Sequence, residues 1–188
     1  RPGGVSRITP NLGAGLTSPY AQNAWVNSGI RSKMNLLGSV PGRVMRGSQA
    51  AKDEGKPLPD TDPWAKLFAR PTPKMDGVFF MQAALAFTDL EGEFFAVKFA
   101  DGARFAARGD VVRELVMVHP RNVTATMDYM RDVVTSWDVQ ANGKLWSVPA
   151  ESMWHFRTFN PDDKHRGLSP LRAAFVGMEG DHRTAQFV

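Results

Sequence analysis

The chain of 188 residues carries 23 Lys and Arg against 19 Asp and Glu, which gives a net charge of +4, and it has 43% hydrophobic residues and no cysteine. This size and composition fit one globular domain, or one large and one small domain. The lack of cysteine excludes disulfides, thiolate nucleophiles and Cys-ligated metal sites in these residues. No run of about 18 apolar residues occurs, so no membrane-spanning segment is predicted.

The first nineteen residues are rich in Gly, Pro, Ser, Thr and Asn and contain few large apolar side chains. Their burial cannot offset an ordering entropy of about 1–2 kcal/mol per residue. The sequence therefore predicts a flexible N-terminal arm over residues 1–19, followed by one domain over residues 20–188.

Residues 1–50 contain six basic side chains and no acidic one. Clustered Lys and Arg can bind nucleic acid by displacing its counterions, whereas six charges spread over fifty residues are more typical of a solvated surface. Both interpretations stay open. The candidates for contact with DNA or with another subunit are Arg31, Lys33, Arg43 and Arg46.

Three helices are predicted in the first half of the chain. Apolar residues at helical spacing indicate a helix from Tyr20 to Leu37, with Gly38 as its C-terminal cap. Asp62 caps a second helix that has Pro63 in its first turn. A third helix extends over residues 76–90, where Phe and Ala repeat every three or four positions.

After Gly92 the apolar spacing changes from about 3.6 to 2, which is typical of strands. A strand over residues 94–99 is predicted to turn at Asp101-Gly102 and return through residues 104–107. Asn142-Gly143 is the strongest hairpin signal, because both residues accept the positive φ of a type I′ turn. The other predicted strands are 115–118, 123–127, 133–139 and 145–148.

The last predicted element is a helix with Ser169 as its N-cap, Pro170 at its first position and Leu171 on its inner stripe. It has no end signal, and the chain begins with Arg1 rather than Met, so we expect a fragment whose last helix continues beyond it. Helices first, then hairpins and a closing helix predict an α+β fold with helices packed on antiparallel hairpins.

No residue is predicted to be catalytic, to bind a cofactor or to ligate a metal. The sequence contains no phosphate-binding loop motif, no nucleophile elbow, no His-Glu-x-x-His zinc-binding helix and no strand-linked dinucleotide-binding fingerprint. The loop with Asp162, Asp163 and His165 could hold a metal, but its spacing matches no metal motif. His155 lies between Trp154 and Phe156 and is predicted to pack with them as a structural side chain.

Four segments, taken in order, resemble the N-terminal half of a tailed-bacteriophage portal protein. The last segment is the most specific, because in portals a strand ending in His leads through a variable loop to Gly-x-Ser-Pro-Leu and a helix. The segments read Leu37-Gly38-Ser39-Val40-Pro41-Gly42-Arg43-Val44 after a helix, then Asp62-Pro63-Trp64-Ala65-Lys66-Leu67-Phe68 with Arg70-Pro71, then Leu115-Val116-Met117-Val118-His119-Pro120-Arg121-Asn122-Val123, and finally Val148-Pro149-Ala150-Glu151-Ser152-Met153-Trp154-His155-Phe156-Arg157 with Gly167-Leu168-Ser169-Pro170-Leu171.

The resemblance implies that residues 20–188 form the portal wing, with stem, clip and crown outside this chain. His155, Gly167, Ser169, Pro170 and Leu171 would form its structural motif. The usual Gly-Asn-Ala-aromatic turn of the family reads Gly92-Glu93-Phe94-Phe95 here, so no role is carried over to it.

The same resemblance implies a structural, non-enzymatic subunit of a ring, normally of twelve copies, at the capsid vertex of the virion. The ring would form the channel for genome packaging and ejection and would be assembled in the host cytoplasm. Its partners would be the major capsid protein, the large terminase subunit, a head-completion or tail adaptor protein and non-specifically bound double-stranded DNA, with no membrane. The alternatives are a small metal-dependent enzyme using the Asp162, Asp163 and His165 loop, or a basic nucleic-acid-binding module.

Overall fold

The computed structural model describes residues 19–40, 42–45 and 55–172. The predicted arm over residues 1–19 lies outside them, except that Pro19 begins the first helix. Arg46 and the continuation of the last helix after Arg172 also lie outside the described residues. Within the described ranges no helix is both long and apolar enough to cross a membrane.

The helices precede the strands in the chain. Asn23 Oδ1 accepts hydrogen bonds from the amides of Trp25 and Val26 at the start of the second helix. The predicted cap Asp62 accepts from the amide of Trp64, with Pro63 in the first turn, and the described helices are α1 (Pro19–Gln22), α2 (Ala24–Ser39), α3 (Pro63–Ala69) and α4 (Gly77–Glu91).

The predicted end of α2 at Gly38 is wrong, because the helix continues to Ser39 and Val40 follows it in an extended conformation. Gly38 instead provides room for α4 to pack against α2. A Cβ at this position would lie 2.6 Å from Gln82 Nε2, and the same Nε2 donates a hydrogen bond to the carbonyl oxygen of Met34.

Among the residues that the structure describes, six strands form two antiparallel three-stranded sheets. The first sheet has the order β2-β1-β6 and the second has the order β3-β4-β5. The predicted Asn142-Gly143 turn joins β4 and β5 with φ values of 52° and 70°. The strands are β1 (Glu93–Phe99), β2 (Glu114–Val118), β3 (Val123–Asp128), β4 (Val133–Ala141), β5 (Lys144–Pro149) and β6 (Met153–Arg157).

The core has two layers, one on each face of the first sheet. Side chains alternate along β1, so Phe94 and Ala96 pack with Phe80 and Ala84 of α4. On the other face Phe95 packs on the second sheet, in a cluster with Val97, Val123, Trp137, Val139, Val148 and Met153. The α+β class with helices and antiparallel hairpins is therefore confirmed.

The predicted return strand over residues 104–107 is wrong. It is reduced to one bridge between Phe99 and Phe105, and β1 pairs with β2 and β6 instead. The reason is a local loop around the Asp110 carboxylate, which accepts hydrogen bonds from Arg104 and from the Ala107 amide. These bonds lower the pKa of Asp110 to about 2, with the Arg104 bond contributing most.

Glu91 at the end of α4 gives one prediction on pH. Its side chain is 6% exposed and lies 2.8 Å from Arg121 Nε. Burial raises the pKa of Glu91 above its ordinary value of 4.5, against the opposing effect of Arg121. Because the folded chain then holds this proton more tightly than the unfolded chain, the resulting stability is fully present below pH 4.5 and is lost as the pH rises through the folded pKa.

We therefore expect the free energy of unfolding of the wild type to rise, relative to Glu91→Gln, as the pH falls from about 7 towards the ordinary pKa of Glu. Urea unfolding of both proteins at several pH values measures this difference. A difference that stays constant with pH would show that Glu91 does not titrate in this way.

Candidate functional site

The backbone of Gly167 lies directly on the turn between α4 and β1. A Cβ on Gly167 would lie 2.0 Å from the carbonyl oxygen of Gly92, and a Cβ on Gly92 would lie 2.3 Å from the carbonyl carbon of Leu168. Gly92 also has a φ of +83° where it ends α4. The chain can pass this turn only because neither position carries a side chain.

Two hydroxyl groups hold the Gly-Leu-Ser-Pro-Leu segment to the same turn. The Thr158 hydroxyl lies 2.8 Å from the Gly92 carbonyl oxygen and 2.6 Å from that of Leu168. Ser169 Oγ donates a hydrogen bond to the carbonyl oxygen of Asp89 and accepts one from the Leu171 amide. Ser169 thus makes the side-chain bond expected of a helix cap and joins this segment to the end of α4, while the predicted helix beyond Arg172 lies outside the described residues.

We expect Ser169→Ala to lower the free energy of unfolding by about 1 kcal/mol, because it removes the cap of this helix. Ser147→Ala is the matched control, since Ser147 is exposed on β5 and its replacement should change stability by less than about 0.5 kcal/mol. Urea unfolding measures both. Indistinguishable melts for the Ser169→Ala variant and the wild type would exclude the capping role.

Glu93, the first residue of β1, has a carboxylate buried between the sheets. The residue is 3% exposed. Its Oε1 accepts from Arg166 Nε at 2.7 Å, and its Oε2 lies 2.9 Å from His155 Nε2 and accepts from the Gly167 amide at 3.1 Å. Each carboxylate oxygen is therefore hydrogen-bonded, as a buried charge requires.

Arg166 connects this carboxylate to the second sheet. Its Nη1 donates to the carbonyl oxygen of Val123 at 2.8 Å and its Nη2 donates to that of Pro120 at 3.3 Å. The guanidinium also lies 5.5 Å from the centre of the Phe95 ring, within the range of a cation–π contact. One side chain thus joins β1, the start of β3 and the segment that leads to the last helix.

The predicted packing of His155 is wrong. Its ring stacks on Phe95 with 4.2 Å between centroids and contacts the edge of Trp137 at 4.9 Å. Trp154 and Phe156, its neighbours in the chain, belong to the opposite face of the sheet because side chains alternate along a strand. Trp154 packs there on Phe80 and Phe94.

Sequence reasoning missed Glu93, Arg166 and Thr158. Glu93 could have been noticed in the sequence because this charged residue directly precedes the apolar strand residues Phe94-Phe95-Ala96-Val97. Its partner could not be found in the same way, because Arg166 lies 73 residues further along the chain.

In the loop with Asp162, Asp163 and His165, two of the three candidate side chains make contacts within the chain. Asp163 Oδ1 accepts from the amides of His165 and Arg166, and His165 Nε2 lies 2.9 Å from Asp132. Among the residues described, no group of three or more His, Cys, Asp or Glu is placed to hold a metal ion.

The predicted contact residues Arg31 and Lys33 lie on α2, and Arg43 follows it; all three are exposed. Lys33 Nζ is paired with Asp89 at 2.9 Å, so its charge is compensated within the chain. The structure places none of these three side chains among the hydrogen-bond partners of Glu93.

A family model described as phage portal protein matches residues 24–188. The fold is similar to a chain in the neck of an empty GTA particle computed with C6 symmetry, at a TM-score of 0.72, 17% identity and coverage of 95% of this chain and 44% of that chain. No curated protein matches this chain.

A chain in the virion of a native gene transfer agent (GTA) particle gives a TM-score of 0.72 at 16% identity, covering 95% of this chain and 44% of that one. A chain in the neck of a native GTA particle computed with C12 symmetry gives 0.68 at 17% identity, covering 95% and 43%. At these identities the likeness shows a shared fold. The chain spans less than half the length of these similar chains.

Proposed function

Because the chain belongs to the phage portal protein family, we propose that it is part of a structural subunit of a portal ring at the capsid vertex. The ring forms the channel for genome packaging and ejection and the point where the tail attaches. The observation that carries this proposal is the family match over residues 24–188, together with a fold shared with chains of GTA necks.

Within this subunit, residues 20–188 serve as the wing-like domain and residues 1–19 as an N-terminal arm. The Gly167, Ser169, Pro170 and Leu171 motif fixes the start of the helix that leads out of the wing. His155 is a structural side chain that supports Glu93. The proposed role needs no catalytic, cofactor-binding or metal-binding residue in this domain.

The ring consists of twelve copies, a number supported by the C12 symmetry used for one similar neck. The partners implied by the family are the major capsid protein, the large terminase subunit, a head-completion or tail adaptor protein and double-stranded DNA bound without sequence specificity. The subunit belongs to the virion after assembly in the host cytoplasm. Arg31, Arg43 and Arg46 are the basic residues proposed to face DNA or a neighbouring subunit.

The alternative functions lack a supporting observation. The enzyme alternative needs Asp162, Asp163 and His165 to converge, whereas the Asp163 carboxylate caps backbone amides and His165 contacts Asp132. The nucleic-acid module needs a continuous basic face, whereas Lys33 is neutralised by Asp89.

The proposal is tested by purifying the full-length protein and recording native mass spectra and negative-stain images. We expect closed rings of twelve subunits. A monomer with metal-dependent turnover that Asp162→Ala abolishes would establish the enzyme alternative, and a monomer with tight, salt-sensitive DNA binding would establish the nucleic-acid alternative.

A further inference from the structure

A groove runs along the outer edge of β6, the edge strand of the first sheet. Its volume is about 530 Å³, and it is lined by residues 155–160 with Asp163 and Lys164. The aromatic side chains Phe156 and Phe159 are 51% and 86% exposed. The groove is therefore an open aromatic surface on the proposed wing.

The Asp163 carboxylate at this groove is only half satisfied. Oδ1 accepts from the amides of His165 at 2.7 Å and Arg166 at 3.3 Å. Oδ2 is buried and has no hydrogen-bond partner in the described part of the chain. Native proteins rarely leave such an acceptor unpaired, because the desolvation of a charged oxygen is costly.

Most cations near Asp163 are already engaged. Lys164 Nζ pairs with Asp132, and the Arg166 guanidinium is held by Glu93 and two carbonyl groups. Arg157 is exposed at the rim of the groove and is the competing donor within the same chain. Because Oδ2 is buried in the isolated chain, a donor from outside the chain reaches it only when the groove opens locally around this atom.

We propose that the groove binds an arginine side chain from a second copy of this chain, with the guanidinium donating to Asp163 and packing on Phe156 and Phe159. Arginine suits such a site because its planar group pairs with carboxylates and stacks on aromatic rings. A subunit with a groove on one surface and its donor on another makes the head-to-tail contact that closes a ring. The inference rests on the proposed portal function.

The same chain supplies the complementary charge. Residues 1–50 contain six basic side chains and no acidic one. Arg31 and Arg43 are exposed, and within the ranges that the structure describes neither has a salt-bridge partner. These two residues are therefore the donors to test.

The test uses the full-length protein and the variant Asp163→Asn, which keeps Oδ1 as the acceptor for the loop amides and removes the charge. Asp162→Asn is the matched control, since Asp162 is the exposed neighbour outside the groove lining. We expect Asp163→Asn to raise the protein concentration needed for ring assembly about tenfold and to weaken its salt dependence, because a charged contact is screened by salt. The control should assemble as the wild type does.

Arg31→Gln or Arg43→Gln should weaken ring assembly as much as Asp163→Asn does. The double variant that combines this arginine change with Asp163→Asn should assemble no worse than either single variant, because both changes remove the same contact. The inference is overturned if Asp163→Asn assembles like the control or if neither Gln variant weakens assembly. If Asp163→Asn lowers the stability of the protomer without weakening ring assembly, Arg157 of the same chain is the partner of Asp163, and the inference is also overturned. If the wild-type protein forms no rings, the proposed portal function itself fails.

Occupancy of the groove can be measured separately. The chain has no cysteine, so alkylation of a Phe159→Cys variant can be mapped to this position by mass spectrometry. We expect the introduced thiol to react in dissociated protomers and to be protected in rings. Equal reaction in both forms would show that no second copy covers the groove.

Discussion

Gly167→Ala is expected to lower the free energy of unfolding by more than about 4 kcal/mol. Losses of this size are exceptional, and overpacking is one of the few changes that cause them. The new Cβ would lie 2.0 Å from the Gly92 carbonyl oxygen and 2.7 Å from the carbonyl carbon. These are backbone atoms at the end of α4, so no side-chain rotation can relieve the contact. The segment carrying Ser169 would have to leave the turn.

Gly29→Ala is the matched control, because it makes the same change in the interior of α2. Apart from its chain neighbours and the backbone of its own helix, no atom of the described residues lies within 4 Å of a Cβ at Gly29, and alanine favours a helix over glycine by about 1 kcal/mol. The two variants should therefore shift stability in opposite directions. Urea unfolding followed by tryptophan fluorescence measures both shifts, and a Gly167→Ala variant as stable as the wild type would disprove the close backbone contact.

Features encoded by neighbouring residues could be predicted from the sequence. Asp62 caps α3, and Asn142-Gly143 turns the hairpin, because each needs only the chemistry of residues next to it. The α+β class follows from the change in apolar period after Gly92. Ser169 could be predicted as a helix cap for the same reason. Its hydrogen bond to the carbonyl oxygen of Asp89 could not be predicted, because Asp89 is distant in the sequence.

Features that depend on distant partners could not be predicted. Asp101-Gly102 does mark a turn, but the local pattern predicts a return strand over residues 104–107, whereas β1 pairs with β2 at residues 114–118 and with β6. Periodicity identifies strands without specifying which strands pair. The same limit applies to Glu93, whose role depends on an arginine that only the folded chain brings near.

Arg166→Met is expected to lower the free energy of unfolding by about 3–5 kcal/mol, the usual cost of removing one partner of a buried ion pair. Glu93 would keep His155 and the Gly167 amide as partners, but its charge would be buried without a fixed cation. The carbonyl groups of Pro120 and Val123 would also lose their donor. Amide hydrogen exchange should therefore accelerate both at β3 and at residues 167–168.

The matched control is Arg113→Met, which breaks an exposed pair with Asp101 whose side chains are 54% and 79% exposed. Such pairs contribute no more than about 1 kcal/mol. Combining Arg166→Met with Glu93→Gln should cost less than the sum of the single changes, because the second change removes the charge that the first leaves unpaired. Additive effects, or an Arg166→Met variant as stable as the control, would show that this ion pair does not join the two sheets to the segment that begins the last helix.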